Sequence, residues 1–358
     1  MHQMLTTAIL ATCFAASSWG VAQGQDADSA SQFDESANYT VTKVLENLNK
    51  PSGLALRPGI GKPGPEELFI AESGAGRVVW ITTDQPGGLA EAVTGLSPGF
   101  LGDNSELQLG PAGLAFIARN LLVVGGGALP DNAGVLSVYL LAADGSAVTA
   151  EQINHTVGPV RASDSAANGA GVFLGMTNTE LSLFSTWSDE NKGWILKSGI
   201  EANRLAYLQP LATPKQTGSL GAPTGIAVIP SPRPPFLVVA HMGSFQKPQD
   251  STLSFYVPSS AKLAMTIDTG LNDILGLAYS PTGQLYAADF SREVDAAGGV
   301  YRLDDAYKDG QQTCQAVRIA SVSRPTALTF TADGELYVTA HGGDGKTQGV
   351  LLKITGDL

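Results

Sequence analysis

Short apolar runs, each closed by a turn bearing Gly, Asp or Asn, recur along the whole chain. Leu68-Phe69-Ile70-Ala71 and Leu285-Tyr286-Ala287-Ala288 are continuous rather than alternating, the pattern of strands buried on both faces. The last stretch shows the unit most clearly. Pro325–Phe330 predicts a strand, and Thr331-Ala332-Asp333-Gly334 a hairpin turn in which Gly334 supplies the positive φ. Glu335–Ala340 predicts a second strand, His341–Gly349 a loop, and Val350–Ile354 a third strand.

Each unit opens on one phrase. Clear copies are Pro51-Ser52-Gly53-Leu54-Ala55-Leu56, Pro111-Ala112-Gly113-Leu114-Ala115-Phe116 and Pro223-Thr224-Gly225-Ile226-Ala227-Val228. Worn copies are Leu275-Gly276-Leu277-Ala278-Tyr279 and Pro325-Thr326-Ala327-Leu328-Thr329-Phe330. Self-similarity at a period near fifty residues is the signature of a propeller or array. Pro51 to Pro111 is 60 residues, Pro111 to Pro223 is 112, room for two units, and Pro223 to Pro325 is 102, two more. With the last unit this predicts an all-β, six-bladed β-propeller over residues 39–358. The third blade is inferred from Ala170–Leu174, Leu181–Ser185 and Gly193–Lys197.

The final unit runs out of chain after three strands, while Tyr39–Leu45 is a strand without a unit. The two are expected to pair and close the ring, which removes an open sheet edge. Residues 23–38, rich in Ser, Asp, Ala and Gln, read as a disordered lead-in.

Leu5–Ala16 is almost wholly apolar or small and leads to Gly20-Val21-Ala22, which reads as a secretory signal over residues 1–22 cleaved near Ala22. A lipoprotein reading rests on Leu10-Ala11-Thr12-Cys13, whose preceding apolar run is short. The run is too short to span a bilayer, which takes about 20 apolar residues. A secreted or periplasmic protein is expected, with Cys314 as its one cysteine after cleavage and therefore no internal disulfide. The net charge of −12 argues against a nucleic-acid partner, which needs a basic face, and draws cations towards an acidic mouth.

The stretch from Leu68 to Ile81, with Glu72-Ser73-Gly74-Ala75-Gly76 at its centre, and Gly283 to Asp289 resemble NHL-type repeats. More broadly the chain resembles the six-bladed superfamily of gluconolactonases (senescence-marker family) and soluble sugar dehydrogenases. The last repeats also resemble the propeller proteins of cyanobacterial scytonemin gene clusters. The resemblance implies the fold and leaves function open. It admits metal-dependent lactonases, quinone-dependent sugar oxidoreductases and binding scaffolds. No counterpart of the lactonase Asn ligand is legible, nor is the His base with Arg clamps around a quinone.

Candidate chemistry concentrates where each second strand ends, at the channel mouth. Around the ring that position gives Glu72, Gly125, a residue near Trp187, His241, Asp289 and His341. Two carboxylates and two imidazoles there are metal-ligating types, His suiting Zn and carboxylates suiting Ca, Mg or Mn. The two histidines share a phrase, Ala240-His241-Met242-Gly243 and Ala340-His341-Gly342-Gly343; Asp273 and Asp344 stand on neighbouring loops. Against this, a polar residue closing a repeated strand also serves as a loop anchor. Trp80, Trp187 and Trp194 read as blade packing, with stacking on a sugar as the alternative for Trp187, which stands near the rim. Asp103–Glu106 and Ser188–Asn191 read as solvated acidic turns, Gly125–Gly127 as a turn, and Cys314 as a small residue at a strand start. The primary expectation is a propeller whose mouth binds a small molecule, glycan or protein. The alternatives are a lactonase-like metal-dependent hydrolase and, more remotely, a sugar oxidoreductase using pyrroloquinoline quinone.

Overall fold

The computed structural model describes residues 38–358 apart from 60–63, 99, 102–106, 109, 127–133, 160–170, 189–192, 214–215, 217–219, 231–235, 245–246 and 344–347. The signal reading, most of the lead-in, Asp103–Glu106, Asp189–Asn191 and Asp344 lie outside the described residues. Among the described residues six blade sheets form, one for each expected unit, beside a separate two-stranded ladder of Phe100–Leu101 with Leu107–Gln108. Blade 1 holds Pro51–Leu56, Glu67–Glu72, Arg77–Thr82 and Gln85–Thr94; blade 2 holds Pro111–Ala118, Leu121–Gly126, Leu136–Leu140 and Ile153–Val157. Blade 3 holds Val172–Asn178, Ser182–Ser188, Gly193–Glu201 and Gln209–Ala212; blade 4 holds Ala222–Val228, Leu237–Met242, Thr252–Val257 and Lys262–Asp268. Blade 5 holds Ile274–Tyr279, Leu285–Asp289, Gly299–Lys308 and Gln311–Ser321.

Blade 6 takes Pro325–Phe330, Leu336–Ala340 and Gly349–Gly356 from the chain's end and Tyr39–Leu48 from its beginning. Tyr39 lies opposite Gly356 and Leu48 opposite Gly349, antiparallel. The ring is closed by this pairing. A second tie runs between blades 1 and 2, where Val148–Thr149 leaves blade 2 to pair in parallel with Val93 and Thr94.

The continuous apolar strands sit as their composition requires. Leu68 and Ile70 join the cluster facing blade 6, with Tyr337 and Leu351, while Phe69 and Ala71 join the cluster facing blade 2, with Leu114 and Phe116. Every junction between neighbouring blades has such a cluster. Both faces of a blade are therefore core, and a single large core is unnecessary.

The repeated phrase explains itself at the axis. A Cβ on Gly53 would lie 1.7 Å from the Ala112 carbonyl oxygen of the next blade, and one on Gly175 would lie 2.3 Å from the Thr224 carbonyl oxygen. Glycine at this position lets five of the six inner strands approach this closely, blade 6 alone carrying an alanine, Ala327. In four blades a hydroxyl, either just before the glycine position or at the end of the second strand, clasps the next blade. Ser52 and Ser73 donate to the Pro111 carbonyl at 3.0 and 2.9 Å, and Thr326 to that of Pro51 at 2.8 Å. Ser188 donates to the Pro223 carbonyl and Thr224 to that of Ile274. Blades 2, 3 and 5 carry Ala112, Leu174 and Leu275 before the glycine, and blade 3 clasps the next blade through Ser188 instead.

Candidate functional site at the channel mouth

The residue after the phrase glycine, or after Ala327 in blade 6, forms an apolar collar around the axis: Leu54, Leu114, Met176, Ile226, Leu277 and Leu328. One side chain comes from every blade. The collar bounds a cavity of about 100 Å³ in the channel, which Met242, Leu275 and Phe290 line further. Four polar side chains reach the same wall: Ser52, Ser188, Thr326 and His341. The three hydroxyls are committed to blade clasps. His341 is different. Its ring is buried and edge-on to Phe290, with centroids 5.4 Å apart, and its Nε2 has no hydrogen-bond partner among the described residues. Burial, with the positive charges of Lys50 and Arg324 nearby, lowers its pKa to about 3, so the imidazole is neutral at physiological pH.

The other expected site residues face elsewhere. Glu72 lies opposite Pro51, His241 opposite Pro223 and Asp289 opposite Ile274, so these three share one register position. The residue at that position in blade 2 is Gly126, opposite Pro111, rather than Gly125, and in blade 6 it is Ala340, opposite Pro325. His341 is thus one step beyond its supposed equivalents. A one-residue step in a strand reverses the side chain's direction, which is why His341 alone of the four lines the channel.

Each of the other three ties down the loop leading into its own blade. Glu72, 1% exposed, accepts the Asn49 amide at 2.7 Å and pairs with Arg77 at 2.6 Å. Asp289 accepts the amides of Asp273 at 2.7 Å and Asn272 at 3.1 Å. Burial nevertheless raises its pKa to about 6. His241 Nδ1 lies 3.2 Å from the Gly221 carbonyl, to which it must donate, leaving Nε2 to accept from Ser254 at 2.6 Å. Its burial lowers the pKa to about 4. Asn49, Gly221 and Asn272 each lie two residues before the register partner of their anchor: Pro51, Pro223 and Ile274. The anchor is the same in three blades, built from three different side chains.

Asp273 is buried beside Asp289; its carboxylate accepts the Arg292 amide at 2.8 Å, and burial raises its pKa. Trp187 takes the register position of Glu72 in blade 3, opposite Phe173, but is 3% exposed and packs on Trp194 with centroids 4.6 Å apart. A sugar has no open face of that ring to stack on. Among the described residues, no three His, Cys, Asp or Glu side chains are arranged to hold a metal ion. The acids and imidazoles expected to form one sector do not gather into a coordination set, because three of them are spent on loop anchoring. Cys314 sits partly buried on the long blade 5 hairpin, and burial raises its thiol to about 12, which disfavours the thiolate at neutral pH.

With this geometry in view, the comparisons bear on the fold. No protein-family model matches the chain, and no curated protein matches it in sequence. Solved structures do match in shape. A luciferin-regenerating enzyme is similar with a TM-score of 0.58 at 11% identity, covering 89% of this chain and 95% of its own. A glucose dehydrogenase is similar with a TM-score of 0.55 at 14% identity, covering 89% and 100%. A chain in a mitotic checkpoint complex reaches 0.52 at 12% identity, covering 95% and 100%. The chain is a six-bladed propeller. Its neighbours include enzymes and an assembly component, and the shared property is the architecture. No helix among the described residues is long and apolar enough to cross a membrane.

The collar and the solitary imidazole are what sequence reading missed. The signal was present: the position after the phrase glycine is Leu, Leu, Ile, Leu in four copies, and Ala327-Leu328 continues it.

Proposed function

We propose that the protein is an exported binding propeller that takes a small, mainly apolar molecule into the mouth of its central channel. The observation that carries this reading is the collar, to which each of the six blades contributes one apolar side chain. Ligand sites are concave, mainly apolar and provided with few polar groups, and this channel has that character. Export is supported by the apolar Leu5–Ala16 run ahead of Ala22. A metal-dependent hydrolase finds less support, because Glu72, His241 and Asp289 already have their hydrogen-bonding capacity engaged.

The reading is tested by thermal shift and calorimetric titration of the protein with octanol, indole and glucono-δ-lactone. Octanol or indole is expected to bind, and a channel-filling Leu277→Trp variant to abolish that binding while remaining folded. Failure of every apolar probe to bind, with the lactone binding instead, overturns it.

A further inference from the structure

Leu205 belongs to blade 3, yet its amide bonds to blade 2. The strand Gly193–Glu201 turns back at Ala202-Asn203, both with left-handed backbone angles, φ 47° and 61°, so that Arg204 and Leu205 pair against Glu201 and Ile200. Two such residues make the tight turn of a hairpin. The Ala206 amide donates to the Gly199 carbonyl at 2.9 Å. Amides along an antiparallel strand alternate between facing the partner strand and facing away, so the Leu205 amide points out of the hairpin. It donates to His155 Nε2, on the outer strand of blade 2, at 3.1 Å. The Leu205 side chain, 5% exposed, joins the apolar cluster between the two blades with Val138, Val157 and Trp194.

That bond fixes the state of the imidazole. A backbone N–H can only donate, so Nε2 presents its lone pair and the ring proton sits on Nδ1. Nδ1 then donates to Asn154 Oδ1 at 2.8 Å. Only the neutral ring holds both bonds. A proton on Nε2 sets two N–H groups against each other and leaves a partly buried amide without its acceptor. Blade 2 has Ala112 where Ser52, Thr224 and Thr326 clasp their neighbours. The tie to Leu205 therefore stands at a junction that has no such clasp among the described residues. Across the ring, the outer tie between blades 5 and 6 runs from Arg302 to the Tyr39 hydroxyl and uses no histidine.

We propose that His155 is an acid-released latch between blades 2 and 3, holding the Leu205 amide at neutral pH and letting it go in mild acid, whatever the channel holds. Histidine is the side chain whose charge ordinarily changes in that range. The charged group facing the ring from the blade 3 hairpin is Arg204, which itself lies opposite Glu201. From Leu136–Leu140, Val138 lies opposite His155, with Ser137 and Tyr139 beside it; the Tyr139 pKa is raised, so that side is uncharged. On its own strand Asn154 and Thr156 are uncharged, and Glu151 is the acid next before it in the chain. Partial burial and then the Arg204 charge lower the imidazole pKa from the ordinary 6.5. The folded chain thus binds this proton less readily than the unfolded one. The tie is fully made above 6.5 and is lost as pH falls through the folded value.

The test is amide hydrogen exchange on the full-length protein, with rates corrected for the intrinsic pH dependence of exchange. Protection of the Leu205 amide is expected to fall about tenfold between pH 7 and pH 5, while amides of the blade 4 strand Leu237–Met242 keep theirs. His155→Gln, whose side-chain carbonyl accepts at either pH, is expected to hold Leu205 equally at both. His155→Phe is expected to leave it weakly protected at both. A readout that needs no variant is the pair of imidazole ¹⁵N resonances of His155, which at pH 7 are expected to place the proton on Nδ1. A proton on Nε2 overturns the latch. So does Leu205 protection that is unchanged from pH 7 to pH 5 in the wild type, or that falls equally in His155→Gln. Loss of protection in blade 4 together with Leu205, in the wild type and His155→Gln alike, is global acid unfolding and overturns it as well.

Discussion

The hydroxyl of Thr326 donates to the carbonyl of Pro51 across 275 residues of chain, at 2.8 Å. This bond joins the last blade to the first at the axis, inside the strand pairing that closes the ring at the rim. Thr326→Val keeps the shape and removes the donor, leaving the Pro51 carbonyl buried without this bond. A loss of about 1–3 kcal/mol is expected, read as a lower urea midpoint with unchanged slope. Thr326→Ser should recover most of it.

Gly53→Ala is expected to prevent folding or to cost several times as much, since its Cβ would lie 1.7 Å from a backbone oxygen that cannot move without shifting a blade. Gly87→Ala is the control. That glycine lies exposed on the outer strand, with nothing within 4 Å of its added carbon, and the substitution should change stability by less than about 0.5 kcal/mol. Circular dichroism on the soluble fraction separates the two.

Glu72→Gln should act on stability rather than on ligand binding. It removes the charge opposite Arg77, which is about one-third exposed, and weakens the hold on the Asn49 amide. The expected cost is about 1–3 kcal/mol. Added Ca²⁺, Mg²⁺, Mn²⁺ or Zn²⁺ should leave the melting temperature of both forms unmoved. A metal-induced rise in the wild type that Glu72→Gln abolishes would contradict the anchoring role.

The buried groups titrate in opposing directions. His241 at about 4 and His341 at about 3 both lie below the ordinary histidine value of 6.5, so the unfolded chain binds more protons in that interval. Stability from these groups is full above 6.5 and falls as pH drops towards their folded values. Asp289, raised to about 6 from 3.8, does the reverse: the folded protein holds the extra proton, and stability falls as pH rises through that window. In urea titrations between pH 4.5 and 6.5, His341→Phe should flatten the pH dependence by up to about 1.4 kcal/mol per pH unit, one proton's worth. Asp289→Asn should steepen it.

Blade number, the partnership of Tyr39–Leu48 with the last blade and the burial of both faces of the second strands were all legible in the sequence. They follow from local repetition, and a repeat fixes what packs beside it. The third blade was legible only in outline: its first strand was expected at Ala170–Leu174 and runs Val172–Asn178, because Phe173 and Leu174 stand where other blades carry Pro and a small or hydroxyl residue. The mouth was less legible because direction alternates along a strand. His241 and His341 share neighbours in sequence and differ by one register step, and that step turns one ring towards a loop and the other towards the channel. Spacing from a recurring Ala-His pair hides this, while spacing from the phrase glycine reveals it.

Among the described residues, the hydroxyl clasps also skip two junctions, from blade 2 to blade 3 and from blade 5 to blade 6, where Ala112 and Leu275 stand in place of Ser or Thr. Those junctions lie diametrically opposite in a ring of six. At the axis the clasps therefore group the blades into two half-moons, blades 3 to 5 and blades 6, 1 and 2, which the Leu205 amide to His155 and Arg302 to the Tyr39 hydroxyl still tie together further out. Any widening of the bore to admit a guest should take the form of a slight spreading of these half-moons along one diameter, as a clamshell parts.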